Sequence, residues 1–241
     1  MINVEIENLE FTYPDGTKAL NGISLSIEAG ESVGIIGANG AGKSTLVNHL
    51  NGYYLPQSGT IRFDNNILNK KTQEDIRRIV GIVFQNPDDQ LFGARLYDDI
   101  AFGPENLGIG IEELRRDVEK TMREFNLWDL RDKSPAHISN GQKRFAAFAS
   151  ILVMHPKVIV MDEPTSDLDP RNRRKLIHLV NNLSATKITV SHDLDFVMET
   201  CNRVALITSG KIVAFGNTEE ILTNQTLLES NGLELPIKLQ K

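Results

Sequence analysis

The sequence predicts an α/β fold that carries an antiparallel β subdomain and an inserted α-helical subdomain. Three observations lead to it. First, Gly37-Ala38-Asn39-Gly40-Ala41-Gly42-Lys43-Ser44-Thr45 reads G-x-x-x-x-G-K-[ST], between an apolar run (32–36) and a helical pattern (44–52). Second, apolar runs at 79–84 and 158–161 and a further strand pattern at 186–190 each lead into polar residues: Gln85, then Asp162-Glu163, then Ser191-His192-Asp193. Third, a block that is helical by its three-and-four spacing (Leu114, Val118, Met122, Phe125) interrupts this alternation, which marks an insertion at about 86–156.

The glycine-rich stretch has a direct chemical reading. Its glycines let consecutive backbone N–H groups curl inward onto phosphate oxygens. The helix that opens at Lys43 adds a partial positive charge, and the Lys43 ammonium reaches β- and γ-phosphates. Ser44 is then placed to ligate Mg2+. A nucleoside triphosphate is the expected ligand.

Composition narrows the rest. The chain has 241 residues, is 40% hydrophobic and carries a net charge of −6. No window approaches eighteen consecutive apolar residues, so no segment is expected to span a membrane. The net acidity and the lack of a long basic run disfavour nucleic acid as a partner. A single cysteine, Cys201, excludes an internal disulfide and suits a reducing cytoplasm.

In chain order, residues 2–8 and 22–27 alternate apolar and polar around the turn signal Pro14-Asp15-Gly16, which predicts two antiparallel strands. Tyr13 before that turn is either a stacking platform for a base or a turn-flanking tyrosine. A strand ending in a polar turn at 58–66, a short helix at 74–78 and a doubly buried strand at 79–84 come next. Gln85 then emerges at the strand edge where ligands bind in open α/β sheets. Leu91 and Phe92, in a loop with Asp88 and Asp89, suggest a docking surface. Ser139 resembles a helix N-cap, with a helix expected over 143–154. Two adjacent carboxylates, Asp162 and Glu163, at the end of an apolar strand call for a cation. A helix at 170–183, a strand ending at His192, a hairpin around Ser209-Gly210-Lys211 and a short helix with a tail complete the chain.

Together these motifs resemble the nucleotide-binding subunit of ATP-binding-cassette transporters, over roughly residues 2–216. The most specific of them is Ile138-Ser139-Asn140-Gly141-Gln142, about twenty residues before Asp162. The family's usual form is Leu-Ser-Gly-Gly-Gln, so Asn140 puts a side chain where backbone would approach phosphate. The resemblance implies a P-loop NTPase (RecA-like) core in an ATPase domain at 1–216, and a C-terminal helix and tail at 217–241 with possible dimer contacts.

It also implies roles. Tyr13 would stack on adenine. Gly37, Asn39, Gly40, Ala41, Gly42, Lys43, Ser44 and Thr45 would hold the triphosphate. Ser44, Gln85 and Asp162 would serve Mg2+. Glu163 would be the general base, with His192 and Gln85 completing catalysis. Asp169 would contact the dimer partner. Ser139, Gly141 and Gln142 would complete an ATP site held by a second ATPase subunit. That subunit could be a copy of this chain or, as favoured, a different protein.

The stretch from Val83 to Phe92, with Asp98-Asp99-Ile100-Ala101-Phe102-Gly103-Pro104-Glu105-Asn106, is similar to one branch, the energy-coupling-factor importers for vitamins or cobalt and nickel. Membership there implies a motor peripheral to the cytoplasmic face of the membrane. Its partners would be a transmembrane coupling protein and a substrate-binding membrane subunit, and arginines of the coupling helices would face Asp88 and Asp89. Soluble repair or translation cassettes usually carry tandem cassettes or long coiled coils, and this chain has neither. A nucleotide-gated module without hydrolysis would not need Glu163 and His192.

Overall fold

The computed structural model describes residues 1–240. The first two strands, β1 (Val4–Thr12) and β2 (Lys18–Ile27), form the expected antiparallel pair around the turn at Gly16, whose φ of 89° suits glycine. After them come β3 (Ser32–Ile36), α1 (Lys43–Leu50), β4 (Ser58–Phe63), β5 (Asn66–Ile67), α2 (Gln73–Ile79) and β6 (Val80–Val83). The helical block contains α3 (Leu96–Asn106), α4 (Ile111–Glu124) and α5 (Asn140–Leu152). The chain then returns to the sheet through β7 (Val158–Asp162), α6 (Pro170–Asn182), β8 (Thr186–Val190), α7 (Leu194–Thr200) and β9 (Arg203–Thr208). It finishes with β10 (Lys211–Asn217), α8 (Thr218–Leu222) and α9 (Gln225–Ser230).

Two sheets result. The smaller is antiparallel, in the order β2-β1-β4-β5. The larger has the order β10-β9-β3-β8-β7-β6, parallel except for the β10 edge, which pairs with β9 through the Ser209-Gly210 hairpin. Every residue of β3, β6 and β8 is buried, as a strand covered on both faces requires. The crossovers put the C-terminal ends of β6, β7 and β8 side by side, with β3 next to β8. That edge therefore gathers the polar residues at the strand ends.

The inserted helices have their own core, in which Leu96, Ile100, Leu114, Val118 and Met122 meet Ala146, Ala149 and Val153 of α5. Helix α5 belongs to both bodies, because Ala147 and Phe148 on its other side pack against Ile159 and Met161 of β7. Two expectations need correction. Helix α5 starts at Asn140, not at 143, because Ser139 and Gln142 close a capping box there. Leu91 is 5% exposed and belongs to the helical core, leaving Phe92, at 67%, as the exposed apolar residue of that pair. Ile221, Leu222 and Leu228 pack within their own domain against Val197, Val204 and Leu206.

Helix α1 carries a fully buried histidine, His49. Its Nδ1 lies 2.7 Å from the Thr45 carbonyl, and its ring meets Phe11 edge-on at 4.8 Å. Burial pushes its imidazole below the usual 6.5. As pH falls, the unfolded chain therefore takes up this proton before the folded one does. The resulting stability is complete above about pH 6.5 and declines below it. His49→Leu is expected to flatten the fall in melting temperature between pH 7.5 and 5.5, measured by thermal melts against the unsubstituted protein.

Candidate functional site

The loop between β3 and α1 adopts a conformation that only glycine permits at its two ends. Gly37 has φ 153°, and a Cβ there would collide with the Ile207 carbonyl oxygen. Gly42 has φ 107°, and a Cβ would come within 2.5 Å of the Ala19 carbonyl oxygen. Lys43 opens α1 and turns back under the loop, so that its Nζ donates to the carbonyls of Gly37 (2.7 Å) and Ala38 (3.0 Å). The same Nζ lies 3.5 Å from His192 Nε2. Burial lowers the Lys43 pKa, and the charges of Glu163 and Asp162 oppose the shift. Ser44 is exposed and Thr45 buried. The Thr45 hydroxyl bonds Tyr13 Oη at 2.9 Å, so Thr45 anchors the tyrosine. Phe11 and Tyr54 meet the Tyr13 ring edge-on, fixing it at the rim of the loop.

Opposite the loop, the strand ends bring the polar residues together. Glu163, just past β7, has a positive φ of 44° that turns it toward β8. Its Oε2 accepts from Ser191 Oγ (3.2 Å) and from the His192 backbone N–H (3.1 Å). Its Oε1 is buried without a hydrogen bond and lies 3.4 Å from His192 Nε2. Glu163 is thus held by one oxygen, and the other is free to accept a proton. Burial, and then the charge of Glu163, raise the Asp162 pKa to about 6, against the pull of Lys43.

Tyr13, Asn39, Gly40, Gly42, Lys43, Ser44, Thr45, Gln85, Asp162, Glu163 and His192 all line one cavity of about 520 Å³. Gly37 contributes its carbonyl to Lys43, and Ala41 packs into the core below. The oxygen donors of Ser44, Gln85 and Asp162 form a hard ligand set, and the carboxylate pair needs positive charge, so these residues fit Mg2+. Among the described residues no three His, Cys, Asp or Glu side chains cluster as a metal site. A cation there would accordingly share its coordination with phosphate.

Ser139, Gly141 and Gln142 do not line this cavity. Ser139 Oγ accepts from the Gln142 N–H (3.3 Å) and Gln142 Oε1 accepts from the Ser139 N–H (2.9 Å), a cap worth about 1 kcal/mol. A Cβ on Gly141 would sit 2.6 Å from Asn172 Nδ2, and that amide in turn donates to Asp169. Asp169 caps α6 through Asn172. Asn140 is exposed, with no positive φ, so its side chain strains nothing locally. Asp88 is paired with Lys143 at 2.6 Å, leaving Asp89 as the carboxylate of that loop without an ion pair.

Two kinds of residue escape the motifs. Thr17, Lys18 and Ala19 line the cavity because β2 begins beside the loop, and no motif marks them. Ser191 holds the Glu163 carboxylate, and its place just before His192 was the available clue. A larger groove of about 850 Å³ runs from His192 along Arg173, Arg174 and the C-terminal residues. Its two arginines are already paired with Asp193 and Glu199, so it offers less free positive charge to a polyphosphate.

The chain is similar to known proteins over nearly its whole length. Residues 20–166 match the family model described as ABC transporter. The energy-coupling factor transporter ATP-binding protein EcfA of Carboxydothermus hydrogenoformans is 46% identical, over 97% of this chain and 87% of that protein. Its namesake in Methanosphaera stadtmanae is 42% identical, over 97% and 86%. The structure of cbiO1 from Clostridium perfringens, part of the ABC transporter complex cbiONQ, superposes with a TM-score of 0.83 at 38% identity, covering 94% of this chain and 93% of that one. A dimeric ATP-binding cassette in a post-hydrolysis state with ADP and Pi gives 0.81 at 26% identity, covering 89% and 98%.

Asp162 yields a test of the charge balance at the strand edge. Its carboxyl titrates at about 6 in the folded protein against 3.8 for the ordinary group, so its ionised form costs stability above about pH 6. That cost is relieved as pH falls below 6. Asp162→Asn is expected to raise the melting temperature of the nucleotide-free protein by roughly 2–4 °C at pH 7.5 and by less at pH 5. The same substitution is expected to abolish ATP hydrolysis, so melts at the two pH values and a phosphate-release assay check both halves.

Proposed function

The chain belongs to the ABC transporter family of ATP-binding proteins, and on that premise we propose that it forms a head-to-tail dimer whose ATP sites are shared between subunits. It is the ATP-hydrolysing motor subunit of an energy-coupling-factor type transporter. The observation that carries the proposal is a division of labour. Lys43, Glu163, His192, Gln85 and Asp162 share one cavity, while Ser139 and Gly141 open a thirteen-residue helix elsewhere on the chain.

Tyr13 stacks on adenine, and the loop from Gly37 to Thr45 wraps the phosphates with its N–H groups. Lys43 exchanges the Gly37 and Ala38 carbonyls for β- and γ-phosphate oxygens. Ser44, Gln85 and Asp162 would hold Mg2+, which would supply positive charge against the phosphates. Glu163 Oε1 accepts a proton from water as that water attacks the γ-phosphorus in line and the bond to the β–γ bridging oxygen breaks. His192 orients the γ-phosphate and the water. Ser139 and Gly141 of the second subunit supply N–H groups and a helix dipole to the same γ-phosphate.

A different ATPase is favoured as that second subunit, and with such a partner Asn140 in the signature would mark one of two unequal sites. Gln85 and the exposed Phe92–Phe102 pair (ring centroids 5.0 Å apart) meet the cytoplasmic helices of a transmembrane coupling protein. A separate membrane subunit selects the solute, a vitamin or a transition-metal ion. No helix of the described residues is long and apolar enough to cross a membrane, in keeping with peripheral attachment.

Glu163→Gln is expected to lower kcat for ATP at least 100-fold while leaving ATP binding intact. Steady-state phosphate release and equilibrium nucleotide binding measure the two effects, and equal turnover by both proteins would overturn the mechanism. Affinity purification through this chain, with the co-purifying subunits identified by mass, is expected to recover a second ATPase and membrane proteins.

A further inference from the structure

Arg144 is the largest fully buried side chain of the protein, at 1% exposure, and no role is yet assigned to it. It lies on α5, two residues after the Gln142 that closes the cap of that helix. Its Nη1 donates to the Phe84 carbonyl (2.9 Å), and its Nη2 to the carbonyls of Gln85 (2.7 Å) and Ser166 (3.2 Å). One guanidinium thus holds the backbone on either side of the sheet edge, one point being Gln85 itself. The other point leads to the general base, because the Ser166 N–H donates to the Glu163 carbonyl at 3.2 Å. Nε has no partner, so the hydrogen bonds to the buried guanidinium come through its two terminal nitrogens, with the charge of Asp167 as a further compensation.

Two further contacts fix the Gln85 loop to the same helix. Lys143 pairs with Asp88 at 2.6 Å. Gln90 donates to the Ala147 carbonyl (2.7 Å) and to Ser150 Oγ (2.9 Å), and accepts from the Phe84 N–H (3.2 Å). Of these contacts from α5, only Arg144 also bonds the segment just past Glu163. A buried arginine is costly unless its geometry does something apolar packing could not. Three carbonyls from two segments, spanned by one rigid fork, meet that condition.

We propose that Arg144 is a positioning residue for ATP hydrolysis, setting Gln85 and the Glu163–Ser166 turn in register with the start of α5. A displacement of the Gln85 loop by the membrane partner then moves Ser139 and Gly141, and the turn behind Glu163, in one step. Lysine cannot replace this fork, since a single ammonium does not hold three carbonyls in a plane. The inference rests on the ATPase reading above and concerns the chemical step, because Arg144 does not touch the nucleotide cavity.

The test is made in the complex purified through the full chain. Hydrolysis must first be shown to depend on Glu163; if Glu163→Gln turns over like the unsubstituted protein, the ATPase reading itself fails. Given that dependence, Arg144→Lys is expected to lower kcat at least tenfold per folded molecule, with the dissociation constant for ATP within twofold. In a Gln85→Ala background the same change is expected to cost clearly less than in the unsubstituted protein, since one of the two groups it positions is gone while the Glu163–Ser166 turn remains. Should Arg144→Lys fold poorly, Arg144→Gln, which keeps one donor group, is measured in the same way. Turnover within twofold of the unsubstituted protein would overturn the proposal. Fully multiplicative losses in the double variant, or a parallel loss of ATP binding and turnover, would also do so, because either result describes a residue that only stabilises the fold.

Discussion

A buried ammonium beside one buried and one half-buried carboxylate is the constraint around which the molecule is arranged. Lys43 sits under its own loop, bonded to Gly37 and Ala38, with Asp162 and Glu163 across from it. The balance is incomplete. One positive charge faces two carboxylates, and Asp162 responds with a pKa raised to about 6. A site in this condition favours a ligand that brings its own cation, as a metal-bound triphosphate does. The parallel sheet supplies the rigidity, since β3, β6 and β8 are buried along their whole length and hold the opposing groups at fixed separation.

Around this centre the chain divides its tasks between a rigid sheet and a helical body attached to it. Helix α5 is the joint. One side of it completes the core of the inserted helices, and the other packs on β7 just before Asp162. Its N-terminus carries Ser139 and Gly141 away from the cavity that holds Lys43, an arrangement that supports the proposed sharing of ATP sites between two subunits. On that proposal, dimer closure on ATP is a change between two packed arrangements, through which binding energy becomes motion.

Much of this was legible in the residues. The phosphate loop is recognisable because its chemistry needs glycines and a lysine at fixed spacing on a strand–helix junction. The carboxylate pair after β7 is conspicuous because adjacent acids at the end of an apolar strand have few structural uses. Other features were hidden. Leu91 and Phe92 are neighbours of similar character, yet one fills the helical core and the other faces solvent. Asp88 looks like a free docking charge until Lys143, far along the chain, proves to be paired with it.

By itself the sequence determined the class of fold, the triphosphate loop and the order of the polar strand ends, since these arise from periodicity and from motifs confined to a few residues. It also located the signature and its cap, a local arrangement of Ser139 with Gln142. Only the tertiary structure decided which distant groups meet. Ser191 fixes one oxygen of Glu163 and leaves the other free. Arg144 reaches Phe84, Gln85 and Ser166 at once, and Thr45 anchors Tyr13. Hydrogen bonds between residues far apart in the chain depend on crossover geometry and burial, and no local pattern in the sequence records them.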